Sequence, residues 1–429
     1  MSREPVWTRR SFLKTAAAVA AAPTIIPARA LGLGESVAPS ERIAIGFLGL
    51  GGQGRANMHA FIRNQDAQVV ALCEVDQDNL KRAVSDVKNR LGDGFQCQVT
   101  KDFREVIDRA DVDAVMISTP DHWHVPMSVL AAQAGKDVIC EKPTLTVAEG
   151  RVLCEAVQRY GIVYQTSTED RSVPQYLRMA ELVRNGRLGK LHAIHVGLPA
   201  GPGSPGDPTP APVPAGLDWD LWLGPAPWAP YCPARVHFNF RWISDYSGGM
   251  LTDWGMHLLD TAQWGNDTEH TGPIEVEGVG KYHAGGLYDT AHQFELTYKY
   301  ANGVTLTVKS TGPSIRFEGS DGWVGNKGWR APVEASSQKI LDSVIGPEET
   351  HLYTCPQGEH RNFLDCVKSR QDPYFPAEIG QRCNTICHIG NIAMQLRRKL
   401  RWAPDREQFL GDETANRLLS RAYREPWKL

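Results

Sequence analysis

From Arg42 onward, short apolar runs alternate with segments of helical period. IAIGFLG (Ile43 to Gly49) is one such run, a helical stretch extends to Asn64, and VVALCEVD (Val69 to Asp76) is the next. AVMIST (Ala114 to Thr119), a helical segment to Ala134 and DVICEKP (Asp137 to Pro143) continue the alternation. Strands that read as unbroken apolar runs are covered on both faces, and interleaved helices supply that cover. The pattern predicts an α/β unit with a doubly wound parallel sheet over residues 42–165.

The period then changes. HQFELTYKYANGVTLTVKST (His292 to Thr311) alternates polar and apolar positions around Ala301-Asn302-Gly303, a hairpin signal. With IEVEGVGKYHA (Ile274 to Ala284) and SIRFEGSDGWV (Ser314 to Val324) it predicts a mostly antiparallel sheet in a second, α+β domain spanning 166–429. Helical patterning returns from about Glu359 to Leu400, and the tail is expected to dock through Pro426 and Trp427. Between Pro199 and Pro230 the chain is rich in Pro and Gly but carries Trp219, Trp222 and Trp228. The tryptophans argue against a plain spacer, so this reads as an ordered arm on the sheet, on another subunit or at a pocket rim.

Ahead of these domains stands TRRSFLK (Thr8 to Lys14), followed by an apolar stretch to Ile26 and the small-x-small site Ala28-Arg29-Ala30. Residues 1–30 are therefore expected to be a twin-arginine export signal, placing the mature protein in the periplasm. The apolar stretch falls short of the ~20 residues of a membrane span, and no stable membrane insertion is expected afterwards. A net charge of -3, with basic residues scattered apart from Arg397-Arg398-Lys399, gives no nucleic-acid footprint. Nine cysteines without a C-x-x-C argue against a disulfide scaffold. Cys383, Cys387 and His388 have no second ligand pair, so they read as core residues and no metal is expected.

The chemistry concentrates at the strand ends. GLGGQG begins at Gly49 between a strand and a helix: Gly49 allows the tight turn, Gly51 lets backbone amides approach a pyrophosphate, and Gly54 lets helix and strand pack closely. Gln53 lies on the same turn, where the helix N-terminus favours negative charge. An acidic residue ends the next strand, as this fingerprint requires. Glu74 is the expected acceptor for the ribose hydroxyls with Asp76 second, and a carboxylate there favours NAD over NADP. Thr119, Pro120, His122 and His124 of TPDHWH and the Glu141-Lys142 pair occupy the ends of later strands, with Gln165 and Thr166 beyond.

With GLGGQG, TPDHWH and EKP in order, the chain resembles the Gfo/Idh/MocA oxidoreductases. GGMLTDWGMHLLD (Gly248 to Asp260) looks like the family's G-G-x-x-x-D-x-G-x-H segment, and RSVPQYLRMAELVRNGRLGKL (Arg171 to Leu191) resembles its domain-bridging helix. The resemblance implies a Rossmann domain, a second domain with a large open mixed sheet, a nicotinamide cofactor, a sugar or cyclitol substrate and a homo-oligomer, dimer or tetramer. It places the catalytic positions on Lys142, Asp253 and His257. Oxidising a secondary alcohol needs a base for the hydroxyl proton and a cation for alkoxide character. Lys142 supplies charge, Asp253 stands one helical turn before His257 and can orient its ring, and either His257 or Lys142 takes the proton. Arg171 matches a family position, while Arg241, Trp242, Asp245 and Tyr246 are candidate sugar contacts.

Free NAD is not supplied in the periplasm, so a tightly held cofactor loaded before export is expected. Three functional readings follow: an oxidoreductase acting on CH-OH groups, a redox-neutral glycosidase like the family 109 glycoside hydrolases, and a sugar-binding protein without turnover. An intact EKP favours the first.

Overall fold

The computed structural model describes residues 37–429, and the export signal expected at residues 1–30 lies outside the described residues. In the first unit, Met1–Arg42, the described part holds one 3-10 turn at Pro39–Glu41. The second unit, Ile43–Leu429, contains both sheets.

Six parallel strands make the first sheet: β1 (Ile43–Leu48), β2 (Ala67–Cys73), β3 (Gln98–Thr100), β4 (Ala114–Ile117), β5 (Asp137–Glu141) and β6 (Tyr164–Ser167), in the order β3-β2-β1-β4-β5-β6. The helices α1 (Gly52–Ile62), α2 (Gln77–Leu91), α3 (His124–Gln133) and α4 (Val147–Tyr160) connect them. β4 is buried throughout and β1 nearly so, which is why both read as apolar runs. Strand order reverses between β1 and β4, so the loops leaving them diverge and open a crevice at the carboxyl ends. The sixth strand continues to Ser167, past the boundary expected at 165.

The second sheet has nine strands in the order β13-β12-β11-β7-β10-β9-β8-β14-β15. Its centre is β7 (Leu191–Gly197), β8 (Glu275–Lys281), β9 (Gln293–Lys299), β10 (Thr305–Lys309) and β11 (Ser314–Gly319); β12 (Gly322–Asn326), β13 (Glu334–Ala335), β14 (Leu400–Ala403) and β15 (Gln408–Phe409) form its edges. β7 and β10 pair in parallel while the other neighbours run antiparallel, so the sheet is mixed. Its alternating residues divide two faces. Ile194, Leu296, Tyr298, Leu306, Phe317 and Val324 pack with Met179 of α5 (Pro174–Arg184), Leu259 of α6 (Gly255–Asn266) and Ile386, Ile389 and Ala393 of α8 (Ala377–Leu396).

The helical pattern expected from 359 to 400 breaks into two elements. α7 (Glu359–Ser369) ends at Arg370, whose φ of 58° is left-handed, and α8 begins after Pro376. The break redirects the chain: Phe363, Leu364 and Cys366 of α7 join Ile43, Met58, Phe61 and Val69 in the core of the first domain. Arg361 fixes this docking by binding Asp66 through both guanidinium nitrogens at 2.8 and 2.9 Å. All nine cysteines are free, and Cys383, Cys387 and His388 are buried as core residues.

Candidate active site

A cleft of about 840 Å³ follows the strand ends of the first sheet and is closed on its other side by the second domain. At one end lie Gly49, Gly51, Gly52 and Gln53, followed by Glu74 and Asp76 after β2. Gly49 has φ +85°, and a Cβ there would meet the Ser118 carbonyl at 2.7 Å. On Gly54 a Cβ would reach the Gly49 oxygen at 2.0 Å, so only glycine lets α1 start this close to β1. Gly51, the N-cap of α1, brings no side chain to its amides, and a Cβ there would meet open space. These features fit a pyrophosphate on the helix N-terminus.

Glu74 fixes the edge of this cradle. Its carboxylate accepts from the N–H groups of Leu50 at 2.7 Å and Asp76 at 3.0 Å, leaving lone pairs free for ribose hydroxyls. Asp76 caps α2 through Asp78 N–H at 2.8 Å. Beside the turn, Asn57 donates to Glu141 at 2.9 Å and Ser118 at 3.2 Å, tying the ends of β4 and β5 together. His124 spans the carbonyls of Pro143 and Thr119 at 2.7 and 2.8 Å, so it braces the cleft wall that Thr119 and Pro120 line.

The Pro-rich arm proves to be a rim of the cleft. Gln77 N–H donates to the Gly216 carbonyl and Asp218 N–H to the Val75 carbonyl, while Lys101 and Asp218 pair at 2.6 Å. Leu217, Leu221 and Trp222 thereby line the cleft above Glu74 and Asp76. The C-terminal tail secures this strap from outside. Arg424 donates to the Gly224 carbonyl at 2.9 Å and to the Asp220 carboxylate at 2.7 Å, and Trp427 packs edge-on against Trp123 with centroids 4.7 Å apart. Trp123 in turn donates to the carbonyls of Leu221 and Trp222.

Ionic side chains fill the other end. Lys142, after β5, binds Asp253 twice, at the carboxylate (2.6 Å) and the carbonyl (2.8 Å). Arg241 approaches the second carboxylate oxygen at 3.2 Å. Burial opposes both charges, yet Lys142 followed by Arg241 outweighs it at Asp253, holding the carboxyl well below its usual range. At Lys142 burial is likewise outweighed, by Asp253 and then Glu141, and the ammonium is pushed up. Asp121, 4 % exposed, faces the same group, and burial pushes its carboxyl up to about 7 despite Ser247 and Arg241.

His257 lines the cleft from α6, and its Nδ1 lies 3.4 Å from Asp170, not against Asp253. This corrects the expectation that Asp253 orients the ring. Asp253 ends the short helix Met250–Asp253, a separate element from α6, and its carboxylate is committed to the lysine and arginine. Burial opposes a charge on His257, but Asp170 outweighs it and raises the imidazole pKa. Trp329 packs on the ring at 5.9 Å, and Arg330 pairs with Glu169. Glu169, Asp170 and His257 bring ligand-type atoms within 4.8 Å of one another, although Arg330 already balances the first.

Other expected contacts lie elsewhere. Arg171 is 3 % exposed and bound to Asp260 at 2.7 and 2.8 Å and to Glu269 at 2.8 Å, clamped between Trp264 and Phe375. Neither Arg171, Trp242, Tyr246 nor His122 lines the cleft; His122 binds the Trp222 carbonyl at 3.0 Å and packs on Tyr246, as a buried polar group requires a partner. Asp170, Asn57 and the strap residues Leu217 and Leu221 escaped sequence reasoning. Asp170 alone had a signal, since it follows β6 where ligands gather in such sheets.

Residues 43–168 match the oxidoreductase family's NAD-binding Rossmann fold, and residues 206–429 match its C-terminal alpha/beta domain. The chain belongs to the Gfo/Idh/MocA oxidoreductase family and carries an NAD-binding domain. A twin-arginine translocation signal sequence matches residues 8–25 and marks the chain for export by that route. No helix among the described residues is long and apolar enough to cross a membrane. Glycosyl hydrolase family 109 protein 1 of Shewanella sp. strain ANA-3 is 29% identical over 201 residues, covering 43% of this chain and 44% of that protein. The chain thus aligns with less than half the length of this curated relative.

The fold also matches solved structures. The aldose-aldose oxidoreductase of Caulobacter crescentus superposes with a TM-score of 0.62 at 19% identity, over 84% of this chain and 99% of that one. A levoglucosan dehydrogenase in complex with NADH and L-sorbose gives 0.61 at 17% identity, over 84% and 99%.

Proposed function

We propose that this chain is an NAD-dependent oxidoreductase that oxidises a secondary hydroxyl of a sugar, glycoside or cyclitol while retaining its cofactor. The carrying observation is that Lys142 and His257 reach one cleft from opposite domains, each backed by its own carboxylate. Gly49, Gly51, Gln53 and Glu74 would hold the dinucleotide, with Thr119, Pro120 and Glu141 along the same wall. NAD when bound supplies a hydride acceptor at nicotinamide C4.

The chain's own residues handle charge and proton. Lys142 is held as a cation by Asp253 and offers its remaining ammonium N–H to the substrate oxygen, where alkoxide character develops. His257 takes the hydroxyl proton as the C–H bond yields its hydride and the carbonyl forms. Arg241, kept over Phe238 at 4.5 Å, presents donors at the rim for neighbouring hydroxyls. Strap and tail cover the adenosine end, which supports a cofactor that stays through many turnovers.

A redox-neutral glycosidase is the second reading, favoured by the family 109 name of the aligned relatives. The two part in one experiment: purified mature protein is assayed for bound NAD and incubated with glycosides and free sugars in D2O. Keto-sugar with accumulating NADH is the expected result. Aglycone release with NAD unchanged and deuterium beside the oxidised carbon would transfer the assignment to the second reading.

A further inference from the structure

The geometry points to Asp170 as the positioning residue of His257: it takes a hydrogen bond from the ring Nδ1–H and leaves Nε2 bare toward the cleft as proton acceptor. Asp253 then serves the lysine alone. The assignment rests on the oxidoreductase reading for its direction of proton flow, but not for the hydrogen bond itself.

Exclusion supplies the first support. His257 Nδ1 and Asp170 Oδ2 are both buried, neither makes a hydrogen bond, and they face each other at 3.4 Å. A buried polar pair left open costs about 1–3 kcal/mol per group, which drives the contact shut. Separations of this size commonly tighten when substrate binds.

Asp170 is itself held. It is 1 % exposed, its Oδ1 faces Trp329 Nε1 at 3.4 Å, and its backbone lies in the turn Asp170–Ser172 that leaves β6. Trp329 and Trp254 flank the imidazole at 5.9 and 6.0 Å and restrict its rotation. The charged groups facing the ring are Asp170, Glu169, Lys142 and Asp253, with Arg330 behind Glu169. Lys142 and Asp253 neutralise each other at 2.6 Å, and Arg330 answers Glu169. Asp170 is left as the carboxylate whose charge His257 feels most, in keeping with its raised pKa.

The test uses the full mature enzyme with its NAD. In Asp170→Asn, kcat is expected to fall about 10²–10⁴-fold with KM within roughly threefold, and the acid limb of kcat/KM moves to lower pH. Bound NAD and melting temperature stay at the wild-type level, and Asp170→Glu recovers part of the loss. A limb that stays in place in Asp170→Asn but moves in Asp253→Asn overturns the assignment. Should Asp170→Asn not fold, ¹⁵N-histidine NMR of the wild type decides, with His257 assigned through His257→Gln. A neutral ring protonated at Nδ1 is expected, and one protonated at Nε2 overturns it. One tightly bound divalent metal per chain, whose removal stops turnover, also overturns it by making Asp170 a ligand. Because the tautomer needs no turnover, the pair can stand even if the oxidoreductase reading fails.

Discussion

The two ends of the cleft are built by different means. The cradle around Gly49 and Glu74 comes from neighbouring strand ends of one sheet, where backbone N–H groups of Leu50 and Asp76 fix the Glu74 carboxylate. At the ionic end, Lys142, Asp170, Arg241, Asp253 and His257 arrive from five separate segments and meet through side chains. Backbone cradles tolerate side-chain change provided glycine stays where a Cβ collides, whereas a side-chain cluster fails when one charge is lost. Function should therefore divide cleanly between cofactor retention at one end and turnover at the other.

The largest effect is expected from Lys142→Ala and His257→Ala. Each should lower kcat about 10³-fold or more while bound NAD, read by absorbance and mass, persists. Loss of the cofactor in either variant would break the division between the ends.

Arg171→Met sharpens the comparison from outside the cleft. Removing the cation strands Asp260 and Glu269, so stability in urea should drop by about 3–5 kcal/mol. A raised KM at undiminished stability would restore Arg171 as a sugar contact.

Next comes the strap over Glu74 and Asp76. Arg424→Ala combined with Trp427→Ala removes the tail's contacts with the strap and with Trp123, leaving the strap's own bonds to the first domain in place. Release of NAD, followed by dilution and gel filtration, should accelerate roughly 10–100-fold, with kcat of the loaded enzyme near wild type. Unchanged release would mean that the strap holds without its tail.

The mildest test is pH. Asp170 raises the pKa of His257, so the proton stays on to higher pH than on a free histidine. Base form is lost as pH falls, and kcat/KM should decline on the acid side with a midpoint above the ordinary value of about 6.5. A midpoint below that value would detach His257 from its carboxylate.

How much of this was legible follows from where each signal lives along the chain. Gly49, Gly51, Gly54 and Glu74 stand within one strand-turn-helix-strand unit, so spacing alone exposes their use. The alternating strands of the second sheet and the hairpin at Asn302-Gly303 were equally open, because burial on one face imposes a period of two. Lys142, Asp253 and His257 could be placed by resemblance, yet the pairing among them could not. Asp253 and His257 are neighbours in sequence, but the turn at Trp254 separates their helices and hands the carboxylate to Lys142, 111 positions away. The arm from Pro199 to Pro230 offered three destinations from its composition, and the strand-like bridge between Asp76 and Leu217 selects the rim.

Local chemistry was written in the order of residues: which segments are strands, which turn must be glycine, and that the chain is marked for export. Tertiary structure alone decided which carboxylate pairs with Lys142 and which faces His257, that α7 returns to complete the first domain's core, and that the strap, braced by the tail, roofs the Gly49–Glu74 end of the cleft. The physical reason is that periodicity and turn geometry act over a few residues, while charge pairing and desolvation depend on distances only the folded chain brings about.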